Sequence, residues 1–129
     1  MTAPTRSTVT ILASVSVAPG GSKAAPVAAG LGSWVDVRGL NGGQLAWSVK
    51  NGSSAPGTPG QFTFQIGDGN DTLNVTNITD LWTGAGTLNA SEESSSLVDL
   101  PNTASFVRML CYGNTTNAVT FRGTLFAKG

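Results

Sequence analysis

Apolar and polar residues alternate along most of this chain, and the period of the alternation is two. Near the start, mainly hydroxyl-bearing residues alternate with five apolar ones: Val9, Ile11, Ala13, Val15 and Val17. Successive side chains of a strand point to opposite faces of its sheet, so the pattern predicts a strand with one face in a core. The following sequence, Ala18-Pro19-Gly20-Gly21, is typical of a turn.

The same period predicts further strands, separated by glycine-, proline- and asparagine-rich turns. They cover residues 34–38, 45–49, 62–66 and 97–100. The segments 101–115 and 117–125 are interpreted as two apolar strands joined by a turn at Gly113-Asn114, so that the chain ends in a buried β-hairpin. We therefore expect an all-β fold, an antiparallel β-sandwich or jelly roll of about seven to eight strands.

Three segments give weaker patterns. Residues 24–32 are rich in alanine and interrupted by Pro26, which predicts an irregular edge. Leu73 to Leu81 is a weak strand candidate because asparagine and threonine are dense there, and Trp82 to Ser96 is predicted to be mostly loop. The sequence Asp68-Gly69-Asn70-Asp71 is interpreted as a turn.

The length of 129 residues is typical of one domain. Residues 1–7 have no apolar period, so we expect a flexible N-terminal arm at 1–7 followed by a single β-sandwich domain at 8–129. The N-terminus also lacks the apolar run of a signal peptide, which favours assembly in a cytoplasm.

Charge and chemistry limit the function classes. Seven basic residues balance seven acidic ones, which disfavours binding to nucleic acid or to a membrane surface. Histidine is absent, and with it the commonest general base and the commonest transition-metal ligand. Cys111, the one cysteine, lies in an apolar strand pattern and is expected to be buried. We expect no enzyme activity, no cofactor and no metal site.

No segment of the chain offers clear catalytic chemistry, so the protein is expected to act through its surface. Trp47 fits the inward alternation beside Leu45 and Val49 and is predicted to be core. The candidates for partner contacts are Arg6 in the N-terminal arm, Trp34 and Trp82. Aromatic anchors in neutral polar surroundings are typical of protein interfaces, and exposed tryptophans on a β-sandwich can also stack on sugar rings.

The order of turns and strands also carries a family resemblance. Between residues 34 and 127 the strands are punctuated by four short motifs: Asn51-Gly52, Asp68-Gly69, Val107-Arg108 and Gly113-Asn114-Thr115. This order resembles small structural proteins of tailed bacteriophages that are encoded beside the capsid genes.

The resemblance implies a virion protein of the cement or decoration type, assembled in the host cytoplasm and located on the capsid surface. It implies binding to the major capsid protein from outside the shell, bridging of neighbouring subunits, and a homo-oligomeric state. Two alternatives stay open. One is a carbohydrate-binding or host-adhesion module with Trp34 or Trp82 as the sugar platform, and the other is a tail, neck or connector subunit.

Overall fold

The computed structural model describes residues 6–128, and of Arg6 the backbone alone. These residues form eight strands and one short 3₁₀ turn at Ala28–Gly30. In chain order the strands are β1 (Arg6–Val17), β2 (Val35–Asp36), β3 (Gly43–Asn51), β4 (Gln61–Gly69), β5 (Val75–Ala85), β6 (Glu93–Leu100), β7 (Phe106–Tyr112) and β8 (Val119–Lys128). None of the described residues belongs to a helix long and apolar enough to cross a membrane.

The strands form two four-stranded antiparallel sheets. The first sheet has the order β1-β8-β3-β6, and the second has the order β2-β7-β4-β5. Each strand of the first half of the chain pairs with one of the second half: β1 with β8, β2 with β7, β3 with β6, and β4 with β5. The predicted all-β sandwich of seven to eight strands is confirmed, and this strand order is that of a jelly roll.

The inward faces of both sheets meet in one apolar core. Phe62 and Phe64 of β4, with Phe121 of β8, are fully buried, and Trp47 of β3 is only 8% exposed. The Trp47 and Phe62 ring centroids lie 4.7 Å apart, and the Phe62 and Phe64 rings meet edge to face. The prediction that Trp47 belongs to the core is confirmed.

The predicted C-terminal β-hairpin is wrong, because β7 and β8 lie in different sheets. Residues 113–118 cross from one sheet to the other. Gly113 has a φ of +87°, and the side chain of Asn114 is buried beneath the crossing, where its Nδ2 donates to the backbone oxygens of Val17 and Asn117 at 3.1 and 3.0 Å. The two strands of a hairpin and two strands joined by a sheet-to-sheet crossing show the same alternation of apolar residues. The period of that alternation therefore could not distinguish the two arrangements.

The predicted loop between Trp82 and Ser96 is also shorter than expected. The strand β5 extends to Ala85 and β6 starts at Glu93, which leaves residues 86–92 as the connection. Both strands lie at sheet edges and most of their side chains are exposed on both faces. Polar residues therefore occupy both phases of these strands, and the alternation that identified the other strands is lost.

The chain is already in the first sheet at Arg6, which pairs with Lys128, and Ser7 pairs with Ala127. The last two residues of the predicted arm 1–7 thus belong to β1, and residues 1–5 lie outside the described residues. The predicted irregular edge at 24–32 is confirmed by Leu31, which forms an isolated bridge to Leu110 of β7. A Cβ atom at Gly30 would collide with the carbonyl oxygen of Cys111, so only glycine allows this approach.

Replacing Asn114 by alanine is expected to lower the free energy of unfolding by about 1–3 kcal/mol, because the backbone oxygens of Val17 and Asn117 would lose a buried donor. Urea denaturation monitored by tryptophan fluorescence measures the change. Asn70→Ala, in an exposed turn, is the matched control and should stay within about 0.5 kcal/mol of the wild type. Equal effects of the two substitutions would contradict the structural role of Asn114.

Candidate functional site

The outer face of the second sheet is crossed by a chain of polar contacts. Lys23 Nζ lies 2.6 Å from Asp80 Oδ2, and Gln65 Nε2 donates to Asp80 Oδ1 at 2.9 Å. Arg108 Nε in turn donates to Gln65 Oε1 at 2.9 Å. The hydrogen bond from Lys23 and the one from Gln65 hold the pKa of the Asp80 carboxyl below its usual value. The network joins β5, β4 and β7, and it ties the β1–β2 connection, which carries Lys23, over the face.

Side chains beneath this connection are buried although they point away from the core. Thr63, Leu110 and Tyr112 alternate along β4 and β7 with inward residues, yet all three are buried. The Thr63 hydroxyl lies 2.8 Å from the Tyr112 hydroxyl and 2.9 Å from that of Thr83. These hydroxyl groups form hydrogen bonds with one another. Because the side chains are buried, this part of the face is closed to a partner.

At the β2 end, Arg38 closes the same face. Its guanidinium lies 5.0 Å from the ring centroid of Phe106, pairs with Asp36 at 2.7 Å and donates to the backbone oxygen of Asn70 at 3.0 Å. The hydrogen bonds from Arg38 lower the pKa of the Asp36 carboxyl. The outer surface of the second sheet is therefore largely engaged in contacts within the chain.

The outer face of the first sheet is open, and we call it the open face. Its centre is apolar: Leu97 of β6 is 52% exposed, Phe126 of β8 is 43% exposed, and Ala46 of β3 lies opposite Leu97. These side chains belong to a shallow cavity of about 460 Å³. Hydroxyl groups and one guanidinium surround the apolar centre: Thr8, Ser95, Thr124 and Arg122.

Charged groups of both signs mark the two ends of the open face. One end is a cavity of about 540 Å³ with Gln44, Asp99 and Lys128 in its wall. The other end is a cavity of about 220 Å³ with Lys50, Glu93 and Arg122 in its wall. An apolar centre inside a polar rim is the usual composition of a protein-binding surface. The open face is therefore the candidate functional site.

The sequence-predicted contact residues do not come together. Arg6 is at the start of β1 in the first sheet, and its side chain lies outside the described part of the chain. Trp34 is half-buried beside β2, with the Arg108 guanidinium 4.3 Å from its ring centroid. Trp82 is on β5 at the far edge of the same sheet, separated from β2 by β7 and β4.

Trp82 covers the edge of the core and also reaches the surface. Its ring centroid lies 5.8 Å from that of Trp47 and 5.7 Å from that of Phe62, while 39% of the residue is exposed. The packing is tight, since a Cβ atom at Gly84 would collide with the Trp82 ring. Trp82 is thus largely a packing residue.

Sequence reasoning did not identify Phe126, Leu97 or Ala46 as surface candidates. One signal was available for Phe126: Phe121 and Leu125 fix the inward phase of β8, and Phe126 is an aromatic residue in the opposite, polar phase. For Leu97 no such signal exists, because its neighbours in β6 are mostly polar in both phases.

The described chain offers neither an exposed thiol nor a cluster of metal ligands. The Cys111 thiol is fully buried, as predicted, and burial raises its pKa, which disfavours the reactive thiolate. Within residues 6–128, no three His, Cys, Asp or Glu side chains come close enough together to hold a metal ion.

Comparison with known proteins supports the fold alone. No protein-family model matches the sequence, and no curated protein matches it significantly. The structure resembles the K3 adhesin domain of Lys-gingipain from Porphyromonas gingivalis, with a TM-score of 0.57 and 16% identity over 90% of this chain and 72% of the other. It also aligns with the SPBc2 prophage-derived protein YomS, with a TM-score of 0.48 and 18% identity over 100% and 97% of the two chains.

The burial of Cys111 predicts slow reaction with a thiol reagent. Native protein is expected to be labelled at least about a hundredfold more slowly than protein in denaturant, because labelling requires opening of the core. A second thiol introduced by Ser53→Cys, in an exposed loop, is the internal control and should react at the rate of a free peptide thiol. Equal rates at the two positions would contradict the buried location.

Proposed function

We propose that this protein is a structural component of a tailed-bacteriophage virion, a cement or decoration protein that binds the outside of the capsid shell. The observation that carries the proposal is the asymmetry of the two sheets. The outer face of the second sheet is largely covered by its own connection and side chains, while that of the first presents an apolar centre and a polar rim. Such a surface is suited to a protein partner, and the resemblance of the strand and turn motifs to phage structural proteins supports the major capsid protein as that partner.

The open face is suited to a repeated surface. Leu97 and Phe126 give a small apolar contact, and rim groups such as Lys50, Glu93 and Asp99 can pair with charges of either sign. A single contact of this size is expected to be weak. A shell offers many identical sites, so a copy that bridges neighbouring subunits binds through several contacts at once and gains avidity.

No step of this function requires a catalytic group. A copy that spans two capsid subunits resists their separation when the shell is under internal pressure. The jelly roll supplies the stiffness, because its strands pair across the whole chain and the two sheets share one core.

The test is cryo-electron microscopy of particles of the virus that encodes this chain, with the wild-type protein and with Phe126→Asp. We expect ordered density that bridges capsid subunits, and a loss of most of that density in the variant, because a carboxylate would be buried in the apolar centre of the contact. Leu88→Asp is the matched control, since Leu88 is 53% exposed but lies in the 86–92 connection.

The purified Phe126→Asp protein should unfold at the wild-type denaturant concentration, because the side chain points away from the core. Full occupancy of the shell by this variant would refute the open face as the contact. Density confined to a tail or neck would instead refute the capsid assignment and favour the connector alternative.

A second candidate function, glycan-dependent adhesion, is favoured by the surroundings of Trp34. Its ring forms part of an open cavity of about 370 Å³ with Leu31, Leu73 and Arg108, and Leu73 is 91% exposed. Trp34 is half-buried with the Arg108 guanidinium over its ring, and the part of the ring in this cavity, beside a cation and hydroxyl groups, can bind a sugar ring. Trp82 is a poorer platform because its ring packs against the core.

Binding to a glycan array tests the adhesion function. If adhesion is the function, the wild type should bind a defined set of glycans and Trp34→Ala should lose at least about tenfold in affinity, the equivalent of about 1.4 kcal/mol. Leu88→Asp again serves as the control for an exposed substitution away from the cavity. Absence of binding to any glycan at millimolar concentration would reject the adhesion function.

A further inference from the structure

The edges of the two sheets are protected unequally. Strand β1 has register shifts between Thr10 and Leu12 and between Leu12 and Val15, and β5 has two shifts of its own, with Asn77 at a φ of +51°. Strand β2 has only two residues. Bulges and short strands are the devices by which proteins prevent edge-to-edge pairing. Three of the four described edge strands use one of them.

Strand β6 uses none of these devices. It pairs with β3 in unbroken register over eight residues, from Glu93 opposite Lys50 to Leu100 opposite Gly43. Its sequence, ESSSLVDL, contains neither lysine nor proline, the residues that most often protect an edge. Among the described residues, β3 is the only strand beside it.

The free hydrogen-bonding groups of this edge can be assigned. The backbone N–H of Asn51 donates to the carbonyl of Glu92 at 2.9 Å. Since directly opposed residues of an antiparallel ladder alternate between bonded and non-bonded pairs, Ser94, Ser96 and Val98 direct their backbone groups towards β3. The intervening residues direct theirs away from the sheet: Glu93, Ser95, Leu97 and Asp99.

We propose that the β6 edge pairs with the β6 edge of a second copy, antiparallel and centred on Leu97, so that two first sheets join into one sheet of eight strands. Residues opposed across this edge must point to the same face. Leu97, Ser95 and Asp99 belong to the open face, so the two-fold axis places Leu97 against Leu97 of the second copy and Ser95 against Asp99.

The charged residues of β6 disfavour the registers centred on Ser96 and on Ser95. A pairing centred on Ser96 would oppose Glu93 to Asp99 twice, which is unfavourable for like charges. A pairing centred on Ser95 would place the Glu93 carboxylate against Leu97. Centring on Leu97 avoids both arrangements, buries two half-exposed leucines against each other, and lets each Ser95 hydroxyl donate to an Asp99 carboxylate.

The pairing would also enlarge the candidate site. Leu97 and Phe126 are side chains of one cavity on the open face. Joining two first sheets along β6 makes the two open faces continuous, with the leucine pair at the centre and one Phe126 on each side. The proposal rests on the edge geometry and is independent of the proposed capsid function.

The test uses opposite charges at one position in the purified full-length protein. Ser95→Lys would face Asp99 of the second copy twice per dimer and Ser95→Asp would oppose it with like charge. We expect the dimer dissociation constant to fall with lysine and to rise with aspartate, each by about two- to thirtyfold. Sedimentation velocity at concentrations up to about 1 mM, the range of a small strand-pair interface, measures it.

The matched controls are Ser16→Lys and Ser16→Asp, which alter an exposed serine on the same sheet but on the opposite edge strand β1. These two substitutions should leave the dimer dissociation constant unchanged. Hydrogen exchange is the second measurement: the amides of Ser95, Leu97 and Asp99 should gain protection as the protein concentration rises. The proposal would be overturned if both the wild type and Ser95→Lys stayed monomeric at about 1 mM. It would also be overturned if Ser95→Lys and Ser95→Asp shifted the dimer dissociation constant in the same direction.

Discussion

The close approach of the β1–β2 connection to β7 is the constraint on which the rest of the surface depends. Gly32 donates its N–H to the carbonyl oxygen of Met109 at 3.2 Å, and Gly30 lies against the carbonyl of Cys111 with no room for a side chain. This contact holds the connection beside the second sheet, from where Lys23 reaches Asp80 on β5. The outer face of the second sheet is thereby largely covered by its own chain, while that of the first sheet stays open to a partner.

The sequence predicted the strands whose two faces differ in environment. For β1, β3 and β8, one set of alternating residues packs in the core and most of the other set faces solvent, so the alternation predicted these strands. In β4 the outward residues Thr63 and Gln65 are buried but polar, and the alternation is therefore kept. The missed or shortened strands, β5 and β6, are exposed on both faces, and a polar residue is acceptable at nearly every position. The topology of β7 and β8 was mispredicted because alternation reports burial but not which sheet a strand joins.

The candidate site was less predictable than the fold, for a related reason. The sequence predicted Trp34 and Trp82 as contact residues. In the structure Trp82 covers the edge of the core beside Trp47, and Trp34 stacks with Arg108. The residues that form the open face are ordinary ones, and only the strand pairing brings Ala46, Leu97 and Phe126 to one place. A surface assembled from three separate strands has no local motif in the sequence.

The pairing of β1 with β8 has a consequence for how the chain reaches its native state. Val9 lies opposite Leu125, so β8, the last of the eight described strands in chain order, is the inner neighbour of both β1 and β3. During synthesis β1 and β3 are exposed until β8 has been made. The entropy cost of closing the long loop between β1 and β8 must then be met before the contacts that offset it can form. Folding of this domain is therefore expected to wait for the synthesis of β8 and to be slow for a domain of this size.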